Sequence, residues 1–313
     1  MSGGPEDRYA GPARVGAAGA RAATEAALSR QPGGVVLKNR LFRAFLYGAV
    51  GVALVGLVAL LVDAFIKGQP RLSFDLFTNP ASQIADNAGF RQAILGSIYL
   101  IGLMVLMVVP VGVGAALYME EYGKRGSRLN RLIEINIQNL AAVPAIVYGI
   151  LGLAFIARGP IDMGKILLAG SITLALLVLP TVIIAAREAI RAVPPSIREG
   201  SLALGATQWQ TIRHQVLPAA VPGILTGVIL SVSRALGEAA PLLLFGAALF
   251  VTADPQPLEV GWTALPVQIY TLAAQAQPEL RELAAAGIII MLAVLLVMNS
   301  FAIWLRNRYE QKW

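Results

Sequence analysis

Long runs of apolar residues alternate with polar segments along most of this 313-residue chain. The runs cover residues 42–66, 93–118, 132–157, 166–186, 219–251 and 284–305. Each run exceeds the roughly 20 residues that a helix needs to cross a bilayer core. Peptide groups in lipid must be hydrogen-bonded within their own segment, so helices are the structure that such runs predict. The pattern therefore predicts an all-α membrane protein with six transmembrane helices.

The fifth run, residues 219–251, is too long for one straight span. Pro222 and Pro241 lie within it, and a proline inside a helix removes a hydrogen bond and can bend the helix. We therefore expect this run to hold one helix and a shorter, broken piece.

Composition supports a membrane protein and separates the N-terminal segment from the rest. Only 14% of the residues are charged, 57% are hydrophobic, and the mean hydropathy is +0.68. A soluble domain carries about a quarter charged residues. Residues 1–37 contain no apolar run and are predicted to be a disordered cytoplasmic tail, which leaves residues 38–313 as the membrane domain. The chain has no cysteine and one histidine, so no metal or other cofactor is expected in it.

Basic residues predict the orientation of the spans. With the N terminus inside and six crossings, 18 of the 25 Lys and Arg residues fall in inside segments and only six in outside segments. Cytoplasmic loops carry such an excess, so both termini are predicted to be cytoplasmic. The same rule explains the net charge of +7. Nucleic-acid binding is not expected, because no basic stripe with interleaved aromatic residues is present.

The segment between the fourth and fifth runs, residues 191–218, carries start and stop signals for helices. These signals are two capping patterns and a glycine between them: Ser196 with Glu199, Thr207 with Gln210, and Gly205. We expect two short helices joined at the glycine, with Trp209 exposed. Such a folded loop is a candidate docking surface for a partner. The alternative is a surface helix of the kind that any long loop can form.

Three polar residues share one face of the fifth predicted helix: Ser231, Arg234 and Glu238. An arginine at the centre of a membrane costs about 2.5–3.5 kcal/mol, so this face is predicted to line the bundle interior or a water-filled path. Arg234 is a candidate site for an anionic substrate, because a guanidinium stays charged and binds oxyanions bidentately. The alternative is an ion pair between Arg234 and Glu238 that only fixes helix packing.

Other charged residues lie near the predicted membrane boundary. Arg187, at the inner end of the fourth run, is a second candidate for the substrate pathway, and a position at the membrane interface is the other interpretation. Glu120 and Glu121 lie near Lys124 and Arg125 in sequence. We interpret this group as a solvated cytoplasmic loop.

Two further patterns resemble a known family. Glu199, Gly205, Leu217 and Pro218 keep the spacing of the EAA loop of ATP-binding-cassette importer permeases, whereas Gly200, Ser201 and Gln215 depart from it. Residues 233–243, SRALGEAAPLL, resemble the R-A-x-G-E-T-A-P-L-L segment of phosphate permeases of the PstA type, with Ala239 in place of the threonine. Residues 136–149 are also similar to these permeases.

The resemblance implies a type I importer permease of the MetI-like architecture that carries inorganic phosphate inward. The implied substrate pathway contains Arg234, Glu238, Ser231 and Arg187. In the family the EAA loop seats in a groove of the ATPase, which implies a coupling role for Glu199, Gly205, Leu217 and Pro218. The implied partners are a second permease of the PstC type, ATPases of the PstB type and a phosphate-binding protein of the PstS type. The implied location is a bacterial cytoplasmic (inner) membrane.

The sequence contains no G-x-x-x-x-G-K-[ST] motif for binding nucleotide phosphates. ATP and Mg²⁺ are therefore expected on the partner ATPase, and this chain is not expected to be an enzyme. Two alternatives stay open. One is a permease of the same architecture for sulfate, molybdate or phosphonate, and the other is an ion-coupled carrier that acts without an ATPase. Such carriers often have paired repeats or broken spans in both halves, and neither is evident in the sequence.

Overall fold

A computed structural model describes residues 33–123, 127–245, 247 and 251–309, and every regular element among them is helical. The helices are α1 (Gly33–Gly68), α2 (Arg91–Leu117), α3 (Arg128–Ala141), α4 (Ala145–Leu151), α5 (Leu167–Arg191), α6 (Pro195–Ala203), α7 (Gln208–Thr211), α8 (Leu217–Leu236), α9 (Ala240–Phe245), α10 (Leu265–Ala273) and α11 (Pro278–Tyr309). Three π-helical segments extend them, at Tyr118–Tyr122, Gly152–Ala157 and Ile212–Val216. Short helical turns lie at Gln69–Arg71, Asp75–Thr78 and Ala85–Asn87.

Five helical segments in the described part of the chain are long and apolar enough to cross a membrane: Leu37–Arg71, Arg91–Tyr122, Leu167–Arg191, Gln208–Leu236 and Pro278–Arg308. A bent pair, Arg128–Ala141 with Ala145–Ala157, makes a sixth span when it is counted as one. The prediction of an all-α protein with six spans is thus confirmed. Helix α1 begins at Gly33, within the segment 1–37 that is predicted to be a tail; residues 1–32 lie outside the described residues.

The third predicted span is not one straight helix. Helices α3 and α4 meet at an angle of 98°, with the break at residues 142–144. Pro144 explains the break, because the residue before a proline is pushed out of the helical conformation. The Tyr148 hydroxyl donates a hydrogen bond of 2.9 Å to the Leu140 carbonyl oxygen, which satisfies an acceptor near the end of α3.

The fifth run divides as expected, although the break does not lie at Pro222. A continuous helical segment runs from Gln208 to Leu236, with Pro222 inside it. The chain then leaves the helix at residues 237–239, and α9 begins at Ala240, one residue before Pro241. The π-helical turn Ile212–Val216 comes directly before Leu217 and Pro218, so the segment passes this proline without a break.

The described residues divide into two compact units, with the boundary between Asp63 and Ala64. In the second unit α5 packs between α2 and α8. Small residues bring these helices close together. A methyl group added at Gly112 of α2 would lie 2.8 Å from Val182, and one at Gly227 of α8 would lie 2.5 Å from Ala185. Small residues allow the same close approach between helices in membranes generally.

The second unit also contains a separate, smaller apolar core. Phe90 and Leu283 are buried with residues of α10 and with Leu76. The short helices α4 and α9 also pack against each other. As a result, the two helix breaks that precede α4 and α9 are held side by side.

Replacement of Gly149 by alanine is predicted to destabilise the protein by about 1–3 kcal/mol, the usual cost of overpacking. The added methyl group would lie 2.6 Å from the Cα atom of Pro241, and backbone cannot move aside as a side chain can. Thermal unfolding of the full-length protein in detergent measures the effect. Gly102→Ala is the matched control, because nothing lies within 4 Å of its added methyl group. Equal unfolding temperatures for the two variants would contradict the close packing of α4 on α9.

Candidate functional site

The two helix breaks and the middle of α5 enclose a cleft. Its walls are formed by residues of three regions: Ala141, Val143 and Ala145 at the first break, Leu177, Val178 and Thr181 of α5, and Ser231, Arg234, Ala235 and Glu238 beside the second break. Non-helical backbone at membrane depth is tolerated where it is buried in protein or lines a water-filled cavity. A cleft at this position explains how both breaks are accommodated.

Arg234 and Glu238 lie at the mouth of this cleft. The Arg234 Nε atom is 3.7 Å from a Glu238 carboxylate oxygen, so the two groups form a long ion pair. The Arg234 side chain is 71% exposed, whereas that of Glu238 is 23% exposed. All three residues, Ser231, Arg234 and Glu238, line the same cleft, but only Ser231 and Arg234 lie on one helix face, because Glu238 follows the end of α8.

Arg234 does not sit at the middle of a continuous helix. It lies in the last turn of α8, two residues before the helix ends. The carbonyl groups at a helix C terminus carry partial negative charge, which favours a cation in the last turn. The helix break thus gives Arg234 both a favourable dipole and access to the cleft.

The hydroxyl groups in the cleft already donate to their own helices. Ser231 Oγ donates to the Gly227 carbonyl oxygen at 2.9 Å, and Thr181 Oγ1 donates to the Val178 carbonyl oxygen at 2.7 Å. Among the side chains that line the cleft, Arg234 therefore has the uncommitted N–H groups that an anion needs. Its contact with Glu238 uses only Nε, at 3.7 Å.

Arg187 lies outside the Arg234 cleft, farther along α5. It lines a second, small cleft with Glu134, Gln138 and Ile184. Its guanidinium contacts the Glu120 carboxylate and is 2.8 Å from Glu134, and its side chain is 16% exposed. Arg187 is therefore engaged by two carboxylates in this structure, and its role in a substrate pathway stays a prediction.

The interpretation of Glu120 and Glu121 as part of a solvated loop is wrong, and Lys124 and Arg125 of the same predicted loop lie outside the described residues. The side chains of Glu120 and Glu121 are only 14% and 8% exposed. Glu120 pairs with Arg187 and Arg191, and Glu121 pairs with Arg198. The sequence held one signal of this arrangement: two acidic residues directly follow an apolar run, where isolated charges are costly.

The 191–218 loop folds as two helices, as predicted. Helix α6 ends before Gly205, whose φ of +85° is the left-handed conformation that glycine adopts most easily. Thr207 and Gln210 form the predicted capping box at the start of α7. The predicted box of Ser196 with Glu199 is absent, because α6 begins at Pro195, with Pro194 at the cap position and no side-chain cap.

The predicted coupling residues lie at different places in this loop. Glu199 is on the exposed side of α6, and Leu217 and Pro218 start α8. Three large apolar side chains are exposed nearby, namely those of Leu202, Leu204 (91% exposed) and Trp209. At Ser201, where the EAA pattern has alanine, the hydroxyl lies 2.9 Å from that of Thr211 and joins the two helices.

A bundle of membrane-crossing helices, with two breaks around an arginine-lined cleft and a folded loop between spans, defines a multi-pass membrane permease. The chain belongs to the family of binding-protein-dependent transport system inner membrane components, whose model matches residues 109–311. It is accordingly a multi-pass inner membrane protein.

Curated relatives match most of the chain. It is 33% identical to the probable ABC transporter permease protein YqgI of Bacillus subtilis in an alignment of 282 positions that covers 85% of this chain and 95% of the relative. It is 34% identical to the phosphate transport system permease protein PstA of Haemophilus influenzae, with 84% of this chain and 92% of the relative covered. It is 32% identical to PstA 1 of Mycobacterium tuberculosis strain H37Rv, with 75% and 76% covered.

Solved structures share the fold. A chain from the structure of a bacterial alginate ABC transporter in complex with an alginate pentasaccharide-bound periplasmic protein superposes with a TM-score of 0.66 at 19% identity, over 88% of this chain and 96% of that chain. A chain of the MetNI methionine ABC transporter gives a TM-score of 0.54 at 18% identity, over 70% and 94%. The MetI-like permease architecture is thus confirmed.

Proposed function

We propose that the chain is the permease subunit of an ATP-driven importer that carries inorganic phosphate into the cell. The observation that carries this proposal is the exposed guanidinium of Arg234 beside a cleft between two broken membrane helices. The resemblance of the chain to PstA proteins over most of its length supports phosphate as the substrate.

The geometry of Arg234 suits a transient anion site. A guanidinium can donate two parallel hydrogen bonds to phosphate oxygens. Glu238 is close enough to balance the charge when the site is empty, yet 3.7 Å is too long for a strong hydrogen bond. An anion can therefore displace this contact at low cost. A transport site must also release its ligand, so a single arginine is better suited than a closed cluster of cations.

A second permease is proposed to cover the exposed face of Arg234. An arginine that is 71% exposed on a membrane helix cannot face lipid without a large cost. A homologous subunit of the PstC type would enclose the cleft and complete the pore. ATPase subunits of the PstB type, which bind ATP and Mg²⁺, and a phosphate-binding protein of the PstS type complete the proposed complex.

The ATPase is proposed to dock on the 191–218 loop. Leu202, Leu204 and Trp209 form an exposed apolar patch, and Glu199 lies exposed on the same helix as Leu202. Apolar side chains exposed together on a loop between spans are typical of a protein–protein contact. This assignment places both termini and the loop in the cytoplasm, in agreement with the distribution of basic residues.

The alternatives differ in testable ways. A permease for sulfate, molybdate or phosphonate would use the same exposed arginine, so competition between anions separates it from a phosphate permease. An ion-coupled carrier would transport without an ATPase. Broken spans no longer count against a carrier, because the structure has breaks at residues 142–144 and 237–239. Family membership is what favours the ATP-driven system.

Arg234→Gln is predicted to lower phosphate uptake at least about tenfold, because hydrogen bonds to charged groups contribute about 1.5–3 kcal/mol. Uptake of radiolabelled phosphate by proteoliposomes that contain the assembled transporter measures the effect. Arg234→Lys should recover part of the activity, and Arg158→Gln, an exposed arginine elsewhere, should leave uptake unchanged. Near-normal uptake by Arg234→Gln would contradict the anion site. Uptake of radiolabelled sulfate without uptake of phosphate would contradict phosphate as the substrate.

Glu199→Lys is predicted to weaken or uncouple the ATPase, because it reverses a charge in the centre of the proposed docking loop. The measurement is co-purification of the ATPase with the permease, together with uptake. Glu259→Lys is the matched control, since Glu259 is also exposed but lies in the segment between α9 and α10. Full co-purification and normal transport by Glu199→Lys would count against docking at this loop.

A further inference from the structure

We propose that a chain of ion pairs connects the 191–218 loop to the bent helix pair, and that Glu120 and Glu121 are positioning residues that carry motion of the loop to the Arg234 cleft. The chain consists of Glu120, Glu121, Glu134, Arg187, Arg191 and Arg198, and is named the ion-pair relay. The proposal rests on the proposed function, because it assumes that an ATPase moves the loop.

Glu121 holds both helices of the loop. Arg198 of α6 donates to its carboxylate from Nε at 3.0 Å and from Nη2 at 2.8 Å. Gln208, at the start of α7, donates to its backbone carbonyl oxygen at 2.5 Å. A shift of either helix therefore pulls on the same residue.

Arg198 is also fixed from the other side. Its Nη1 donates to the Val193 carbonyl oxygen at 2.6 Å, and its Nη2 donates to that of Ile190 at 2.9 Å. These carbonyl groups lie at the end of α5 and just beyond it. The guanidinium thus ties α6, the end of α5 and Glu121 into one unit, and no docking residue proposed above takes part in it.

Glu120 faces a different set of partners. It follows α2 in the same π-helical turn as Glu121, and neighbouring residues in a helix point in different directions. Its carboxylate contacts Arg187 and lies 2.7 Å from Arg191. Two adjacent residues of one π-helical turn therefore bind different elements: Glu121 binds the loop, and Glu120 binds α5. Single π-helical turns occur frequently at functional sites.

Arg187 links Glu120 to the bent helix pair by a second ion pair. It lies 2.8 Å from Glu134, which is on α3. Helix α3 ends seven residues later at Ala141, which lines the Arg234 cleft, about 10 Å along the helix axis. The relay thus runs without interruption from α6 to the helix whose end forms a wall of the cleft.

The charges of the relay are paired and mostly poorly exposed, so its groups are expected to move together rather than to separate into water. Arg191 also lies 3.4 Å from Glu188, so each guanidinium group of the relay has a carboxylate partner, and the Glu120, Glu121 and Arg187 side chains are each less than 20% exposed. Half-buried ion pairs leave a costly unpaired charge when one partner moves away. The groups consequently move together, and a shift of α6 is carried to α3.

The test uses the complete reconstituted transporter and measures phosphate uptake and ATP hydrolysis in the same sample. Glu121→Gln is expected to keep ATP hydrolysis and to lower the ratio of phosphate carried to ATP hydrolysed by about tenfold. Glu121→Asp keeps a carboxylate for Arg198 and is expected to keep a ratio closer to that of the wild type. Arg187→Gln is expected to lower the ratio as well, and to have little further effect in the Glu121→Gln background.

Arg71→Gln is the matched control for Arg187→Gln. Arg71 also has two carboxylate partners, Asp86 at 2.8 Å and Glu282 at 3.3 Å, but these pairs lie outside the relay. The relay is overturned if Glu121→Gln keeps the wild-type ratio, if Glu121→Asp lowers it as much as Glu121→Gln does, or if Arg71→Gln lowers it as much as Arg187→Gln does.

A second measurement does not depend on the transported substrate. The chain has no cysteine, so Val143→Cys introduces one labelling site at the first helix break. Addition of ATP, Mg²⁺ and vanadate is expected to change the rate of labelling by a water-soluble thiol reagent, and Glu121→Gln is expected to abolish that change. Persistence of the change in Glu121→Gln overturns the relay. If the wild type shows this labelling response but does not take up phosphate, phosphate is not the substrate and the relay is still supported.

Discussion

A charged side chain that faces hydrocarbon has a large free-energy cost, and the main features of this structure follow from that constraint. Arg234 lies on a membrane helix, yet its side chain is 71% exposed. The cost of about 2.5–3.5 kcal/mol for a central arginine falls only when water, protein or an anion meets the charge. This constraint supports the proposals that the face of α8 with Arg234 lines a pathway and that a second permease covers it.

The two helix breaks follow from the same constraint. Residues 142–144 and 237–239 leave the helical conformation, and both segments lie beside the cleft. The Tyr148 hydroxyl satisfies one carbonyl oxygen near the first break. Arg234 occupies the last turn before the second break, where the helix dipole favours a cation. Polar backbone and the charged side chain thus share one cleft in an otherwise apolar bundle.

Local patterns in the sequence predicted local structure well. Run lengths predicted the spans, Gly205 predicted a helix end, and Thr207 with Gln210 predicted a capping box that the structure contains. A proline kink is what the sequence indicates at Pro144, but it does not specify the size of the bend, because a proline within an apolar run can be accommodated in a helix or can break it. The partners of Glu120 and Glu121 were also missed, since they lie 67 to 77 residues away in the chain. Ion pairs at such separations depend on helix packing, which sequence periodicity does not specify.

The most direct test of the account is whether the Arg234 face of α8 meets water and substrate in the assembled transporter. Ser231→Cys places a thiol in the cleft, and Leu225→Cys places one on the opposite side of α8 from Arg234. The account predicts that a charged, water-soluble thiol reagent labels residue 231 in membrane vesicles, that phosphate slows this labelling, and that residue 225 stays unlabelled. An unreactive residue 231, or labelling that phosphate does not change, would contradict it.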